Sequence, residues 1–361
     1  MATTRIPNVR LAGVASAVPD TVVTAADDAT RFGEEEMRRL VKNTGVRRRH
    51  VALNILASDL CELAAARLMD DLGWARDSVD ALVFVTQSPD YPTPATACLL
   101  QDRLGLPTTV AAFDVNLGCS AYTYGLMVAG SLLASGAMKR ALLLVGDVSS
   151  RLASPHDRAV YPLFGDAGSA TALEFDPAAA DAHFLMGTDG RGGRHLHNRH
   201  GGWRHRFHPG SWEVRAGADG TARHEEHTYM NGAEVLTFAL GNLPPLFPQL
   251  RALAGWGEAD VDAYVFHQAS EFMLKNIARS ARLPADKVVM ALDGYGNASG
   301  ASIPLAMNAA MRERLSGPTP QRLVLTGFGV GWSWCTAAVT CSGVVLPEVL
   351  VVPDVAREAE F

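Results

Sequence analysis

The chain contains two versions of one passage, and this repeat constrains its fold more than any other feature. Gly73-Trp74 followed by Val79-Asp80-Ala81-Leu82-Val83-Phe84 returns as Gly255-Trp256 followed by Val261-Asp262-Ala263-Tyr264-Val265-Phe266, with the same internal spacing and five identities in the six-residue run. Leu106-Pro107 and Leu283-Pro284 come next in each copy. Apolar runs at 110–115 and 288–292 then lead to Gly118-Cys119-Ser120 in the first copy and Gly296-Asn297-Ala298 in the second. Small-residue stretches at 120–135 and 298–315 read as helices, and apolar strands at 141–145 and 322–326 close each series at Gly146 and Gly327. Continuous apolar strands alternating with helices of this length predict parallel β-α-β units buried on both faces. Two copies predict two similar half-domains sharing a core, since the period is far too long for a stacked solenoid. The expected bounds are a first half at 1–180, a connecting segment at 181–230 and a second half at 231–361.

Parallel sheets gather ligands at the carboxyl ends of their strands. Cys119, His267 and Asn297 each fall just past such an end. Cys119 opens a helix of small and apolar residues, where the peptide dipoles are expected to lower its pKa and favour the thiolate; the plainer reading is a small core cysteine. His267 stands where the first copy has Val85, so an imidazole replaces an apolar residue at a buried strand end. Alone it reads equally as a histidine bonded to backbone. Asn297, within Gly294-Tyr295-Gly296-Asn297-Ala298-Ser299-Gly300, has the bland reading of a cap or turn residue. Three such residues at repeat-related positions favour chemistry.

Composition narrows the class. About half of the 361 residues are apolar and 19% are charged, the balance of a compact α/β enzyme. A net charge of -6 excludes a chain devoted to nucleic acid, which needs a clustered cationic surface. Five scattered cysteines form no CxxC pair, so a zinc site or redox dithiol is not indicated, and a reducing cytoplasm is the expected location. The apolar stretch 11–18 after Arg5 and Arg10 is short and runs into Pro19-Asp20, so it reads as a first strand rather than a signal peptide. No apolar run reaches the roughly 18–20 residues of a membrane helix. Gly327 to Gly331 has the spacing of a nucleotide loop, but the stretch that follows, 332–345, reads as a strand and not as a phosphate-binding helix.

Gly118-Cys119-Ser120, Phe266-His267-Gln268-Ala269, Gly296-Asn297-Ala298-Ser299 and Gly327-Phe328-Gly329-Val330-Gly331-Trp332-Ser333-Trp334, in that order, closely resemble the β-ketoacyl-ACP synthase III family. Thr44-Gly45-Val46-Arg47-Arg48-Arg49-His50, Asp157-Arg158 and Phe164-Gly165-Asp166 agree, so the likeness covers nearly the whole chain. The resemblance implies a thiolase-like α/β fold of five layers, α-β-α-β-α, usually as a homodimer. It implies an acyltransferase that loads an acyl group from acyl-CoA or an acyl carrier protein onto Cys119. A malonyl-type or β-ketoacyl thioester extender then enters a decarboxylative condensation, with His267 and Asn297 hydrogen-bonded to its thioester oxygen, without metal or organic cofactor. The amides of Cys119 and Val330 are the expected oxyanion donors. Transfer of the acyl group to an alcohol or amine, with His267 as general base, is the alternative. A degradative thiolase would need a second cysteine at the site, which Cys335 does not clearly supply.

Departures from the family pattern suggest a specialised pathway. Arg39 and Asn43 stand where the family commonly has the Trp and Arg that hold coenzyme A, and Phe272 stands where an arginine often meets the carrier protein; Lys275 or Arg279 is a nearby substitute. Thr93 replaces a phenylalanine that shapes the acyl pocket in the dimer. With Arg158 and Gly329, Thr93 and Phe272 make up the expected substrate-contacting positions. The segment at 190–228 is rich in Arg, His and Gly. His224-Glu225-Glu226-His227 is one residue short of HExxH and the other histidines share no regular face, so an exposed or dimer-covering loop is expected rather than a metal site. Its charge would suit coenzyme A phosphates or an acidic carrier.

Overall fold

The computed structural model describes residues 1–217 and 220–357. The expected segments at 181–230 and 231–361 thus each include a few positions outside the described residues. Two six-stranded sheets form the body, and they agree in strand order and direction except at one edge, where the outer strand is parallel to its neighbour in one sheet and antiparallel in the other. One is ordered Leu350–Val352, Val9–Pro19, Ala167–Phe175, Arg140–Asp147, Ala81–Val85, Ala111–Val115. The other is ordered Ala2–Ile6, Ala182–Thr188, Ser333–Cys341, Gln321–Gly329, Ala263–Phe266, Val288–Val289. In each sheet the repeated strand lies parallel to both neighbours, and one neighbour continues into an antiparallel partner. The chain ends cross over: Ala2–Ile6 pairs into the second half's sheet and Leu350–Val352 into the first half's.

Side chains alternate along the repeated strands and so build separate layers. Val83, Val85, Leu143 and Val145 face a central core shared with Val265, Leu323 and Leu325 of the other sheet. Leu82, Phe84, Leu142 and Leu144 face the outer helices of the first half, and Tyr264, Phe266 and Val324 those of the second. The helices Ala121–Leu133 and Ser302–Ser316 supply Tyr122, Leu126, Ile303 and Met307 to the central layer. Helix, sheet, helix, sheet and helix thus stack as five layers, the thiolase-like arrangement.

The repeated letters brace the sheets in the same way twice. Gly73 and Gly255 end helices in the left-handed region, at φ 64° and 69°, which glycine adopts without a Cβ clash. Trp74 then lies against the Arg140 guanidinium and Trp256 against that of Arg322. Asp80 accepts from the amides of Lys139 and Arg140, and Asp262 from that of Arg322.

Three elements differ from expectation. The connecting segment expected at 181–230 opens with Ala182–Thr188, a strand held inside the second sheet between Ala2–Ile6 and Ser333–Cys341. The strand expected at 288–292 stops at Val289, because the Gln268 side chain donates to Val289 O (3.3 Å) and accepts from Ala291 N (2.9 Å), which takes the chain out of the ladder. Leu292–Tyr295 is a helical turn instead. The helix expected from 298 begins at Ser302, after a single tighter turn at Ser299–Ala301.

The described residues of the 190–228 segment form short turns and two-residue strands, and Trp203, Phe207 and Trp212 are exposed on it. Its base exchanges backbone hydrogen bonds between Asp189 and Trp332 (2.9 Å each), and it reaches the first half through Arg223–Asp157 (2.6 Å) and Thr228 N to Leu152 O (2.7 Å). Among the described residues no helix is long and apolar enough to cross a membrane.

Candidate active site

Cys119 sits in the turn between Ala111–Val115 and Ala121–Leu133 and is half-buried. Glycines from the second half press on this turn. A Cβ at Gly329 would lie 2.7 Å from the Cys119 sulfur, one at Gly327 2.8 Å from Ser120 Cα, and one at Gly300 3.1 Å from Gly118 O. Gly329 has φ 154°, so both its conformation and its surroundings require a glycine. The backbone N–H groups of Val330 and of Cys119 itself favour the ionised form of the thiol.

The expected lowering of the Cys119 pKa does not occur. Burial pushes the thiol up to about 11; the Val330 amide opposes this, and the nearby Asp147 charge adds to it. Desolvation therefore outweighs whatever the helix terminus contributes. The resting group is a thiol, and a base has to take its proton.

His267 follows the strand Ala263–Phe266, and its N–H donates to Thr326 O (2.8 Å) on the strand that ends at Gly329. The ring packs edge-on to Phe328. Burial lowers its pKa to about 4, only partly countered by Ser299, so the imidazole is neutral at pH 7. Nδ1 lies 3.1 Å from Ser299 O, which can only accept, and 2.8 Å from Ser302 Oγ, which can give or take. With Nδ1–H donating to Ser299, Nε2 is a base; with Ser302 donating to Nδ1, Nε2–H is a donor.

Asn297 is buried where the halves meet. Its backbone pairs with Leu163 O (2.9 Å) and Gly165 N (3.1 Å). Its Oδ1 accepts from Ser299 N (3.0 Å), holding Ser299 at φ 47° and fixing the carboxamide, while Nδ2 has no hydrogen-bond partner among the described residues. One face of the side chain is thus anchored and the other is a donor.

Sequence reasoning missed Asp147. It ends the strand Arg140–Asp147, is buried, and accepts from Gln87 N (2.8 Å), Thr86 Oγ1 (3.1 Å) and Gly300 N (3.4 Å). Burial raises its pKa, against bonds that include the Ser299 hydroxyl. It links the Cys119 turn to the Ser299 that holds His267. A carboxylate closing an apolar strand is the same signal that marked His267.

The remaining expected positions divide. Gly329 touches Cys119, whereas Thr93, Arg158 and Phe272 are exposed. Thr93 donates to Pro92 O, Arg158 lies 3.7 Å from Glu36, which also pairs with Arg39, and Lys275 near Phe272 pairs with Glu271. Cys335 is inside the central core with its thiol pushed up to about 12 by burial.

Residues 113–190 match the family described as 3-Oxoacyl-[acyl-carrier-protein (ACP)] synthase III, and residues 252–341 match its C-terminal part. The beta-ketoacyl-[acyl-carrier-protein] synthase III of Desulfitobacterium hafniense is 35% identical over 341 residues, covering 93% of this chain and 98% of its own. The chain belongs to the β-ketoacyl-ACP synthase III family. A second relative, beta-ketoacyl-[acyl-carrier-protein] synthase III 2 of Streptomyces coelicolor, is also 35% identical, over 92% of this chain and 93% of its own. The solved 3-oxoacyl-(acyl-carrier protein) synthase of Burkholderia xenovorans superposes with a TM-score of 0.91 at 40% identity, over 97% of this chain and 99% of that one. Membership makes the chain a condensing acyltransferase with the thiolase fold.

Proposed function

We propose that Cys119 is the acyl carrier of this synthase and that His267 and Asn297 drive the decarboxylation of a malonyl-type thioester. Neutral His267 takes the Cys119 proton as the sulfur bonds to the acyl carbon, and returns it to the departing CoA or carrier thiolate. With the ring in its other tautomer, Nε2–H and Asn297 Nδ2 hydrogen-bond the extender's thioester oxygen. The C–C bond to carbon dioxide breaks, its electron pair forms the enolate, and the enolate carbon attacks acyl-Cys119. The Val330 and Cys119 amides hold the resulting oxyanion, which collapses to the β-ketoacyl product and expels the Cys119 thiolate, which takes a proton from water to restore the resting thiol. The observation that carries this reading is the strand Gln321–Gly329, which bonds His267 N at Thr326 O (2.8 Å) and ends at Gly329 against the Cys119 sulfur, so that one strand holds both residues.

Acyl-CoA and acyl carrier protein are the proposed donors, consistent with the carrier protein in the relatives' names. The exposed Thr93, Arg39 and Phe272 support a primer other than acetyl and a specialised pathway. A homodimer is supported by the exposure of Thr93, a position the resemblance covers with a second subunit. Intact-protein mass spectrometry with a panel of acyl-CoA donors should show one acyl mass on the native chain and none on Cys119→Ala. Adding malonyl carrier protein should then release carbon dioxide with product. Acyl transfer to an alcohol or amine without that release would replace condensation by the alternative.

A further inference from the structure

We propose that His200, His208 and Glu225 bind one divalent transition-metal ion of the zinc type, which braces the 190–228 segment. The three donor atoms all lie within 4.8 Å of one another. His200 Nε2 is 2.8 Å and His208 Nε2 3.5 Å from the same carboxylate oxygen, Glu225 Oε2. Bond lengths of about 2.0–2.2 Å in tetrahedral geometry separate donor atoms by roughly 3.3–3.5 Å. One pair already has that spacing, and the other reaches it by opening about half an ångström.

The polar groups here are otherwise poorly served. Only 10% of the His200 side chain is exposed, and its buried Nδ1 has no hydrogen bond among the described residues. Glu225 Oε2 is likewise buried without one. An ion pair explains one imidazole beside a carboxylate; two imidazoles converging on the same oxygen point to a shared cation. Arg215 stands 3.5 Å from the other oxygen, Oε1, and leaves Oε2 to the histidines.

The frame that presents these groups is built. Buried Ser211 accepts from Glu225 N through its carbonyl (3.0 Å) and from His208 N through its hydroxyl (3.1 Å), so one residue ties two ligand-bearing stretches together. His205, its ring 5.2 Å from that of His200, or a water completes the coordination. Two imidazoles and one carboxylate suit zinc rather than magnesium or calcium, which take all-oxygen shells. The expected role is structural, because the segment contains little regular structure and places aromatic residues outward. Its base, through Asp189 and Trp332, adjoins the turn that presents the Val330 amide.

Untagged full-length protein, stripped with chelator, is titrated with Zn²⁺ against a chromophoric competitor while thermal unfolding is followed. One tight equivalent per chain and a raised melting temperature are expected. His208→Ala, at an exposed position that leaves the fold intact, and Glu225→Gln should each weaken binding at least about 100-fold and abolish the thermal shift. His156, which lies near His227 and His224 and outside the cluster, is the control: His156→Ala should leave both unchanged. Absence of a tight equivalent, equal binding by His208→Ala and the native chain, or loss of binding in His156→Ala would each overturn the site, the last by moving the ion to His156, His224 and His227. None of these readouts depends on acyl transfer, so failure here leaves the proposed condensation untouched.

Discussion

In the first half the strand Ala81–Val85 ends on a buried valine, while in the second half the matching strand ends on Phe266 and delivers His267. Beyond the next strand, the first half presents Cys119 and the second, after the helical turn Leu292–Tyr295, presents Asn297. Around these differences the support is the same: a left-handed glycine, a tryptophan under an arginine and an aspartate on the neighbouring strand's amides. Bracing residues recur because each sheet has the same parallel edge to hold. Strand ends are free to diverge, because there the two sheets meet and one nucleophile serves with one set of donors. The halves are therefore equal in architecture and complementary in chemistry, and substitutions at paired positions should have unequal consequences.

The largest inequality is expected at Cys119. Cys119→Ala should lose the acyl adduct and lower condensation by about 10⁴-fold or more, as removal of a nucleophile does in other covalent enzymes. Intact mass and product formation read this directly. Asn297→Ala, at the equivalent place in the second half, should keep the adduct and lose condensation by about 10²–10³-fold, the usual cost of a missing oxyanion donor. Loss of the adduct in Asn297→Ala would break the division of labour between the halves.

The pair Val85 and His267 offers a third test, read through stability. Burial holds the folded imidazole near a pKa of about 4, below its ordinary 6.5. Between those values the unfolded chain binds a proton that the folded chain does not. The stability is therefore complete above pH 6.5 and is lost as pH falls toward 4, by up to about 3 kcal/mol. Asp166 works the other way: burial raises its carboxyl to about 6, so its contribution is lost as pH rises from 3.8 to 6. Because Asp166 is present in both proteins, it cancels when His267→Val is compared with the native chain. Denaturant unfolding at pH 7 and pH 4 should show the native chain losing about 3 kcal/mol more than the variant.

The repeat showed the parallel strands, the paired halves and the polar residues Cys119 and His267 beyond their strands, because strand burial and turn chemistry are written locally; Asn297 instead follows a helical turn, eight residues past its strand. Other features depend on what the fold brings alongside. The helix position of Cys119 is legible, but its raised pKa comes from burial under the second half and from the Asp147 charge, both supplied by residues remote in sequence. The early end of the strand at Val289 is caused by Gln268, a side chain just past the end of the neighbouring strand Ala263–Phe266. Asp147 carried a readable signal that passed unnoticed, an acid closing an apolar run. The cluster of His200, His208 and Glu225 had no such signal, since its spacing fits neither a helix nor a strand and Ser211 supplies the alignment.

The smallest expected difference separates the two bracing aspartates. Asp80 Oδ2 takes two amides, Lys139 N at 2.6 Å and Arg140 N at 3.0 Å, whereas Asp262 Oδ2 takes Arg322 N alone, at 2.8 Å. Hydrogen bonds to an ionised acceptor contribute about 1.5–3 kcal/mol each, less where water competes. Asp262 also lies 3.6 Å from the partly exposed Arg314, a pair that adds little. Asp80→Ala should therefore cost about 2–3 kcal/mol and Asp262→Ala about 1–2 kcal/mol in denaturant unfolding, with activity per folded chain preserved in both. A larger loss at Asp262 would mean that the second sheet leans on this carboxylate more heavily than its single amide implies. The scaffold would then have diverged along with the chemistry.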